Sequence, residues 1–211
     1  MEEFNFEFDS VVAQKADRIA NSMDSAAYVG EFKSASLAVS SGGAKALEFV
    51  FSADEGGSAV YKVWFKSKTE TGEKPLDNGM ALINSIMAIL GIHQLRSTPG
   101  MVKVWENGAQ VEKEGTIYPS LIGQKIGVVN RNILKDRTDV NDFRTDREMV
   151  LVYDARTSLT ASEKLSNETS PKKLAKVLKG LKDKDERKLK STGSAGALFG
   201  SLGGDESAPE L

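Results

Sequence analysis

The chain has 211 residues, of which 40% are hydrophobic and 27% are charged, and its formal net charge is −2 at pH 7. These proportions are typical of globular proteins, and no apolar stretch approaches the ~20 residues that a membrane-spanning helix needs. The absence of cysteine excludes disulfides and thiolate chemistry, and the first ten residues lack the pattern of a secretory signal. We therefore expect a soluble, cytoplasmic protein with one main domain.

Residues 1–26 are predicted to form an N-terminal extension that contains a helix. Apolar residues recur at helical spacing in SVVAQKADRIANSM, behind the capping candidates Asp9 and Ser10. Three strand-like segments follow, AYVGEFKSASLAVS, ALEFVFSAD and AVYKVWFKSKT, separated by SGGAK and EGGS. Gly-Gly turns between such segments are typical of β-hairpins, because glycine adopts positive φ without steric cost. We expect three antiparallel strands.

The pattern changes to helical spacing in PLDNGMALINSIMAILG, and Gly91 at its end is a helix stop signal. The apolar stripe of this helix comprises Leu76, Met80, Ile83, Met87 and Leu90. Residues 93–114 are predicted to be irregular, apart from a short extra strand in MVKVW. Two further strands, GQKIGVVNRNIL and REMVLVYDA, flank the polar loop KDRTDVNDFRTD.

This order of three strands, a helix and two strands predicts a mainly β fold. The same order of elements is typical of an OB-fold-like, five-stranded Greek-key barrel with a helix between strands 3 and 4. We assign the barrel to residues 27–165, with further helices added to it. The OB-fold binds oligonucleotides and oligosaccharides on its strand 2–3 face and in two loops. A β-sandwich and a split α+β domain are the alternative architectures.

The predicted third strand, YKVWFKSK, has two chemically different faces. Tyr61, Val63 and Phe65 point to one face, and Lys62, Trp64, Lys66 and Lys68 point to the other. Ammonium groups neutralise phosphates and an indole stacks any base, so the second face favours single-stranded nucleic acid. The alternative is that Trp64 covers one end of the barrel and the lysines form a solvated surface.

Two loops add candidate binding residues. The glycine-rich loop SSGGAK, with Lys45 at its exit, falls where an OB-fold has its 1–2 loop and lets backbone approach a phosphate. On the predicted 4–5 loop, Phe143, Arg144 and Arg147 are interspersed with aspartates. This loop is either a nucleic-acid clamp or a flexible, hydrated connection.

The sequence contains no recognisable catalytic or metal-binding constellation. His93 is the only histidine, and neither cysteine nor a second imidazole accompanies it. We predict a structural or surface role for His93, no metal, no cofactor and no enzymatic activity. A nuclease is a distant alternative.

Charge is segregated towards the C-terminal end. Residues 171–190 carry 9 basic and 3 acidic residues, whereas residues 191–211 carry 3 acidic and no basic residues. Residues 166–190 are predicted to contain a basic amphipathic helix that extends a cationic track, binds a partner or packs on the barrel. Residues 191–211 are predicted to be a disordered acidic tail. The candidate partner-binding residues in this tail are Leu198, Phe199, Leu202, Asp205 and Glu206.

Several sequence segments resemble segments of bacteriophage single-stranded DNA-binding proteins and occur in the order expected for that family. They are GGAKALEFVFSAD, YKVWF, NSIMAILGI, YPSLIGQKIGVVNRN and VYDARTSLTASE. The resemblance implies an OB-fold that coats and protects single-stranded DNA during phage replication, recombination and repair, in the cytoplasm of the bacterial host. It also implies an acidic tail that competes with DNA and recruits replication or recombination proteins. Such tails often end in an aromatic residue, whereas this chain ends in APEL.

The sequence hypothesis is therefore a non-enzymatic protein that binds single-stranded DNA without sequence preference. The predicted nucleic-acid-binding residues are Lys45, Lys62, Trp64, Lys66, Lys68, Arg131, Phe143, Arg144 and Arg147. The alternative hypothesis is a protein–protein adaptor, or a replication and recombination accessory factor, on an OB-like scaffold. Such a protein would work through the C-terminal helix and tail.

Overall fold

A strongly curled, mainly antiparallel sheet with the shape of a half-barrel dominates the computed structural model, which describes residues 23–106, 109–137 and 142–188. The described strands are β1 (Ala27–Val39), β2 (Lys45–Ala53), β3 (Ser58–Thr69), β4 (Gly72–Pro75), β5 (Thr98–Glu106), β6 (Ala109–Ile117), β7 (Lys125–Asp136), β8 (Phe143–Tyr153) and β9 (Lys184–Asp185). The described helices are α1 (Asp77–Leu90), α2 (Ala161–Leu165) and α3 (Lys173–Lys179), with a 3-10 turn at Pro119–Leu121. The predicted mainly β architecture is confirmed. No helix in these three ranges is long and apolar enough to cross a membrane.

The sheet has two branches that meet at β1. One branch runs in the order β4-β3-β2-β1-β6-β5, and the other adds β7, β8 and β9 through the pairing of β7 with β1. A register shift between Phe32 and Ser34 interrupts the pairing of β1 with β2. The first half of β1 pairs with β7, and its second half reaches β6 through Ser36 and Ile117. The curl also brings β8 into contact with β3, and α1 packs against both strands.

Strands β1, β2 and β3 form the antiparallel meander that the Gly-Gly turns predict. Gly56 in the second turn has a φ of 95°, a conformation that favours glycine. Alternation directs Phe49, Phe51 and Tyr61 into the core, where each is at most 1% exposed. Phe32 packs beside them, with its ring centroid 4.6 Å from that of Phe49. Burial of a large apolar side chain contributes about 1.5–3 kcal/mol, so these rings stabilise the inner face of the sheet.

Helix α1 forms where the sequence predicts it and ends at Gly91, whose φ of 68° is left-handed. Its buried face differs from the predicted apolar stripe, because Met80 is 38% exposed. The buried residues of the helix are Gly79, Ile83, Ile86 and Ile89. A Cβ atom at Gly79 would lie 1.8 Å from the carbonyl oxygen of Trp64. The helix therefore approaches the β3 backbone through this glycine, which a search for large apolar residues overlooks.

The region predicted to be irregular instead contains the hairpin β5–β6. Its register runs from the pair Thr98–Ile117 to the pair Glu106–Ala109. The prediction of an extra strand in MVKVW is confirmed, whereas its partner strand was missed. That partner contains QVEKEG, whose charged residues conceal the period-two pattern of a strand.

The hairpin β7–β8 extends through most of the predicted polar loop. Cross-strand pairs of this hairpin continue to Asp136 and Phe143. Phe143, Arg144 and Arg147 therefore lie on β8 and not on a loop. Polar residues conceal this part of the hairpin, because strands that are exposed to solvent do not need apolar alternation.

The basic helix predicted within residues 166–190 is present but short. Helix α3 has seven residues, of which none is buried, and it is followed by Gly180 and by β9, which pairs in parallel with β7. The buried carboxylate of Glu163 accepts hydrogen bonds from the backbone N–H groups of Thr160, Lys172 and Lys173 at 2.8–2.9 Å. This carboxylate therefore caps α2 and joins it to the start of α3. The predicted N-terminal helix lies almost entirely outside the described residues, and so does the predicted tail.

Candidate functional site

A cleft of about 1230 Å³ opens where β3, β8 and α1 meet. Among the described residues, its walls carry five basic and two acidic side chains, an excess of three positive charges. The basic residues are Lys62, Arg131, Lys135, Arg144 and Arg147, and the acidic residues are Asp146 and Glu148. A concave surface with an excess of one sign of charge concentrates counter-ions, so this cleft favours an anionic ligand.

Strand β3 forms one wall and has the two faces that its alternation predicts. Tyr61 and Val63 are buried, whereas Lys62 is exposed and Trp64 is 37% exposed. The Nζ atom of Lys62 lies 3.0 Å from a carboxylate oxygen of Glu48 on β2. Trp64 lines both the cleft and a smaller pocket at the start of α1. Because Trp64 is partly exposed, a planar ligand in the cleft can contact this residue.

The hairpin β7–β8 supplies most of the charge in the cleft, and its carboxylates hold the cations in place. The Nε and Nη2 atoms of Arg131 donate to one oxygen of Glu148 at 2.9 and 2.6 Å. Asp146 forms ion pairs with Lys135 at 3.1 Å and with Arg144 at 3.2 Å. A phosphate that enters the cleft can replace these carboxylates as the acceptor.

Arg147 differs from the other basic residues of the cleft. Its Nε atom is buried and has no hydrogen-bond partner among the described residues. Burial raises the pKa of the nearby Tyr61 phenol, and the positive charge of Arg147 opposes this effect. The Tyr61 hydroxyl donates to Asn130 Oδ1 at 3.1 Å. An unsatisfied buried donor costs about 1–3 kcal/mol, so a ligand that gave this nitrogen an acceptor would offset that cost.

Three of the predicted lysines lie outside the cleft. Lys45 and Lys66 both contact Glu73 on β4, at 2.5 and 3.0 Å. Their hydrogen bonds, that of Lys45 first, hold the pKa of the Glu73 carboxyl below its usual range. Lys68 is exposed, and its side chain lies beside Gly43 of the β1–β2 turn. We refer to Lys45, Lys66, Lys68 and Glu73 as the β4 corner.

Phe143 lies at the start of β8, beyond the residues that line the cleft. Its side chain is 49% exposed, and the guanidinium carbon of Arg187 lies 5.3 Å from the ring centroid. Arg187 was not among the predicted site residues. Its position follows from the path of the chain after α3, for which the sequence contains no signal.

The structure thus brings five of the nine predicted nucleic-acid-binding residues together. Those that line the cleft are Lys62, Trp64, Arg131, Arg144 and Arg147. The prediction missed the contribution of α1, including Asn78 and Ser85, and the two carboxylates that pair with the cations. The candidate partner-binding residues Leu198, Phe199, Leu202, Asp205 and Glu206 lie outside the described residues.

The described ranges contain no group of three or more His, Asp or Glu residues that could hold a metal ion. His93 is exposed. In comparisons with known proteins, neither a family model nor a curated protein matches the chain. The function of the cleft is therefore inferred from its own residues.

Proposed function

We propose that the protein binds single-stranded DNA without sequence preference and that the cleft is its binding surface. The observation that carries this proposal is the placement of an exposed indole among five cationic side chains in one concave surface. Ammonium and guanidinium groups interact with phosphates, and the indole stacks on the π-face that every base has. Neither contact distinguishes one base from another, so the binding is independent of sequence.

We also propose that the half-barrel is an OB-fold with additions. Support comes from the succession of the β1–β2–β3 meander, helix α1 and the β7–β8 hairpin. The pairing of β1 with β7 and the contact of β8 with β3 are consistent with a five-stranded core that closes around one axis. Strands β4, β5, β6 and β9 are additions to this core. In this arrangement the cleft borders strand 3 and the 4–5 hairpin, close to the surface that OB-folds use for oligonucleotides.

In this proposal the protein coats and protects single-stranded DNA during phage replication or recombination and catalyses no reaction. The role follows the resemblance of the sequence to phage single-stranded DNA-binding proteins. The alternative is an adaptor that acts through the C-terminal residues. Removal of residues 191–211 separates the two: a DNA-binding protein retains or tightens its binding, because a competing anionic segment is gone, whereas an adaptor loses its partner.

Tryptophan fluorescence provides the direct test. The chain contains two tryptophans, so Trp105→Phe leaves Trp64 as the sole indole. We expect oligothymidylate to quench Trp64 at concentrations where an equally long duplex does not. The logarithm of the affinity should fall with the logarithm of salt concentration by about 0.7 for each phosphate contact. Absent binding, or equal binding of both nucleic acids, would contradict the proposal.

Substitution of Trp64 tests the stacking contact itself. Stacking on an aromatic side chain contributes about 1–3 kcal/mol per base, so Trp64→Ala should weaken oligothymidylate binding about 5-fold to 150-fold. Trp64→Phe should retain part of the affinity. Val60→Ala, which shortens another exposed apolar side chain on the cleft wall, is the matched control. Equal losses in Trp64→Ala and Val60→Ala would argue against stacking.

A further inference from the structure

Residues 183–188 form a short strap along the edge of β7. Within the strap, β9 pairs with Ile133 and Leu134 in parallel, and the backbone N–H of Glu186 donates to the Leu134 carbonyl at 2.9 Å. The backbone N–H of Lys188 donates to Asp136 Oδ2 at 2.7 Å. The strap therefore occupies the half of the β7 edge that β1 does not reach.

The strap places Arg187 against the ring of Phe143. The Nε and Nη2 atoms of Arg187 donate to the two carboxylate oxygens of Asp185 at 2.9 and 2.6 Å, which fixes the plane of the guanidinium. Its central carbon lies 5.3 Å from the Phe143 ring centroid, a distance typical of a cation–π contact. Because Phe143 remains 49% exposed, part of the ring is accessible to a ligand.

Phe143 is aligned with the wall of the cleft. Phe143 directly precedes the segment 144–151, every residue of which lines the cleft, and by strand alternation it stands in one row with Thr145 and Arg147. Successive members of such a row are about 7 Å apart. The strap also contacts the cleft directly, because Glu186 lies 3.7 Å from the cleft residue Lys135.

We infer that Arg187 is a positioning residue for nucleic acid: the strap holds its guanidinium on one side of Phe143, and the ring stacks a base of the bound strand with its accessible side. This inference rests on the proposed function. It adds a second stacking position beyond Trp64, and it requires the strap to stay on β7 when the strand is bound. Arg187 acts through Phe143 and not through a phosphate, because its guanidinium lies over the ring while its Nε and Nη2 atoms donate to Asp185.

A double-mutant cycle with oligothymidylate tests this role. We expect Phe143→Ala to weaken binding about fivefold or more, and Arg187→Ala about twofold to fivefold. The double variant should bind no more weakly than Phe143→Ala, because Arg187 acts through the ring. The salt dependence of Arg187→Ala should equal that of the unmodified protein, whereas the loss of a phosphate contact would lower the slope by about 0.7. Additive losses, or a lowered slope, would overturn the inference.

Lys184→Ala is the matched control, because it removes a cation from the same strap without touching the ring. An equal loss in Lys184→Ala and Arg187→Ala would indicate a general effect of charge and would overturn the inference. Hydrogen exchange gives an independent readout. The amide of Glu186 should stay protected when oligothymidylate saturates the protein, and faster exchange would show that the strap leaves β7. If the unmodified protein binds no single-stranded DNA, the proposed function fails; if it binds and the cycle is additive, only this inference fails.

Discussion

The cleft and the β4 corner both carry basic residues from β3, Lys62 in the cleft and Lys66 and Lys68 in the corner, yet the two regions differ in shape and in what surrounds these residues. In the β4 corner, Lys45 and Lys66 share the carboxylate of Glu73, on a strand that is exposed along its whole length. In the cleft, five basic side chains and two acidic ones surround an exposed indole between two strands and a helix. Positive charge is therefore common to both regions, whereas concavity and an aromatic surface belong to the cleft.

This difference has an electrostatic consequence. A charge on an exposed edge is screened by water and salt within about 8 Å at physiological ionic strength. Charges that line a cleft with low-dielectric walls reinforce one another and raise the local concentration of an anionic ligand. We therefore expect the cleft, more than the β4 corner, to determine how tightly the protein binds a nucleic-acid strand.

The largest predicted effect concerns α1, the wall that the β4 corner lacks. In Gly79→Ala, the new Cβ atom would overlap the Trp64 carbonyl oxygen, so the helix must shift away from β3. We expect the free energy of unfolding in urea to fall by about 2–4 kcal/mol and oligothymidylate binding to weaken with it. Gly42→Ala is the control, because a Cβ atom there would meet only the Ser40 hydroxyl, at 3.9 Å. Unchanged stability in Gly79→Ala would mean that the helix does not depend on this close approach.

Removal of two positive charges from each region tests whether the cleft or the β4 corner determines the affinity for DNA. Arg131→Gln with Arg144→Gln removes two charges from the cleft, and Lys45→Gln with Lys66→Gln removes two from the β4 corner. We expect the cleft variant to bind oligothymidylate at least about tenfold more weakly, with a salt slope smaller by about 1.4. The corner variant should lose less than about threefold. Equal losses would show that the overall charge of the protein, and not the cleft, governs binding.

The sequence predicted which segments form the central strands better than it predicted how those strands pair and pack with other elements. Turn glycines and period-two alternation identified β1, β2 and β3 and the two faces of β3, because both signals are local. The orientation of α1 depends on one glycine that contacts a distant strand, and the hairpins β5–β6 and β7–β8 are concealed by charged residues. Local patterns do not contain this information, since it arises from tertiary contacts.

The same limit applies to the candidate site. The cations and the indole were identifiable from composition, but their carboxylate partners were not, because Glu148 meets Arg131 only through cross-strand pairing. The contact of Arg187 with Phe143 joins residues 44 positions apart by sequence number, and no local motif indicates it. In contrast, the capping role of Glu163 could be predicted from the sequence, since Thr160 and Glu163 have the spacing of a capping box.

Acid should loosen the attachment of α1, the helix that forms one wall of the cleft and is absent from the β4 corner. Lys164 donates to the Ile89 carbonyl at 2.8 Å and to Asp154 at 2.9 Å, which ties the end of α1 to the segment after β8. Burial alone would raise the pKa of Asp154, but the hydrogen bonds from Lys164 and two backbone amides outweigh it and lower the pKa to about 2. Backbone hydrogen bonds, that of Thr160 first, lower the pKa of Glu163 to about 2.

Both carboxyls thus have a lower pKa in the folded state than in the unfolded state, so the folded state binds fewer protons in acid. Their contribution to stability is complete above about pH 4.5 and is lost as the pH falls towards 2. Calorimetry should show the melting temperature falling across this window, and less steeply in Glu163→Gln. Glu168→Gln, which removes an exposed carboxylate of the same segment, should retain the slope of the unmodified protein. A Glu163→Gln variant with the unmodified slope would contradict this account.

The smallest predicted effect distinguishes the charge of one residue in the cleft from the net charge of the protein. Asp146 forms ion pairs with both Lys135 and Arg144, so a phosphate must compete with its carboxylate for two cations. Asp146→Asn keeps the size of the side chain and removes the charge, so it should tighten oligothymidylate binding about twofold to fivefold. Glu31→Gln makes the same change of charge beside Lys33, outside the cleft, and should have little effect at physiological salt. Equal tightening in both variants would point to net charge, and weaker binding in Asp146→Asn would mean that the carboxylate serves mainly to orient the two cations.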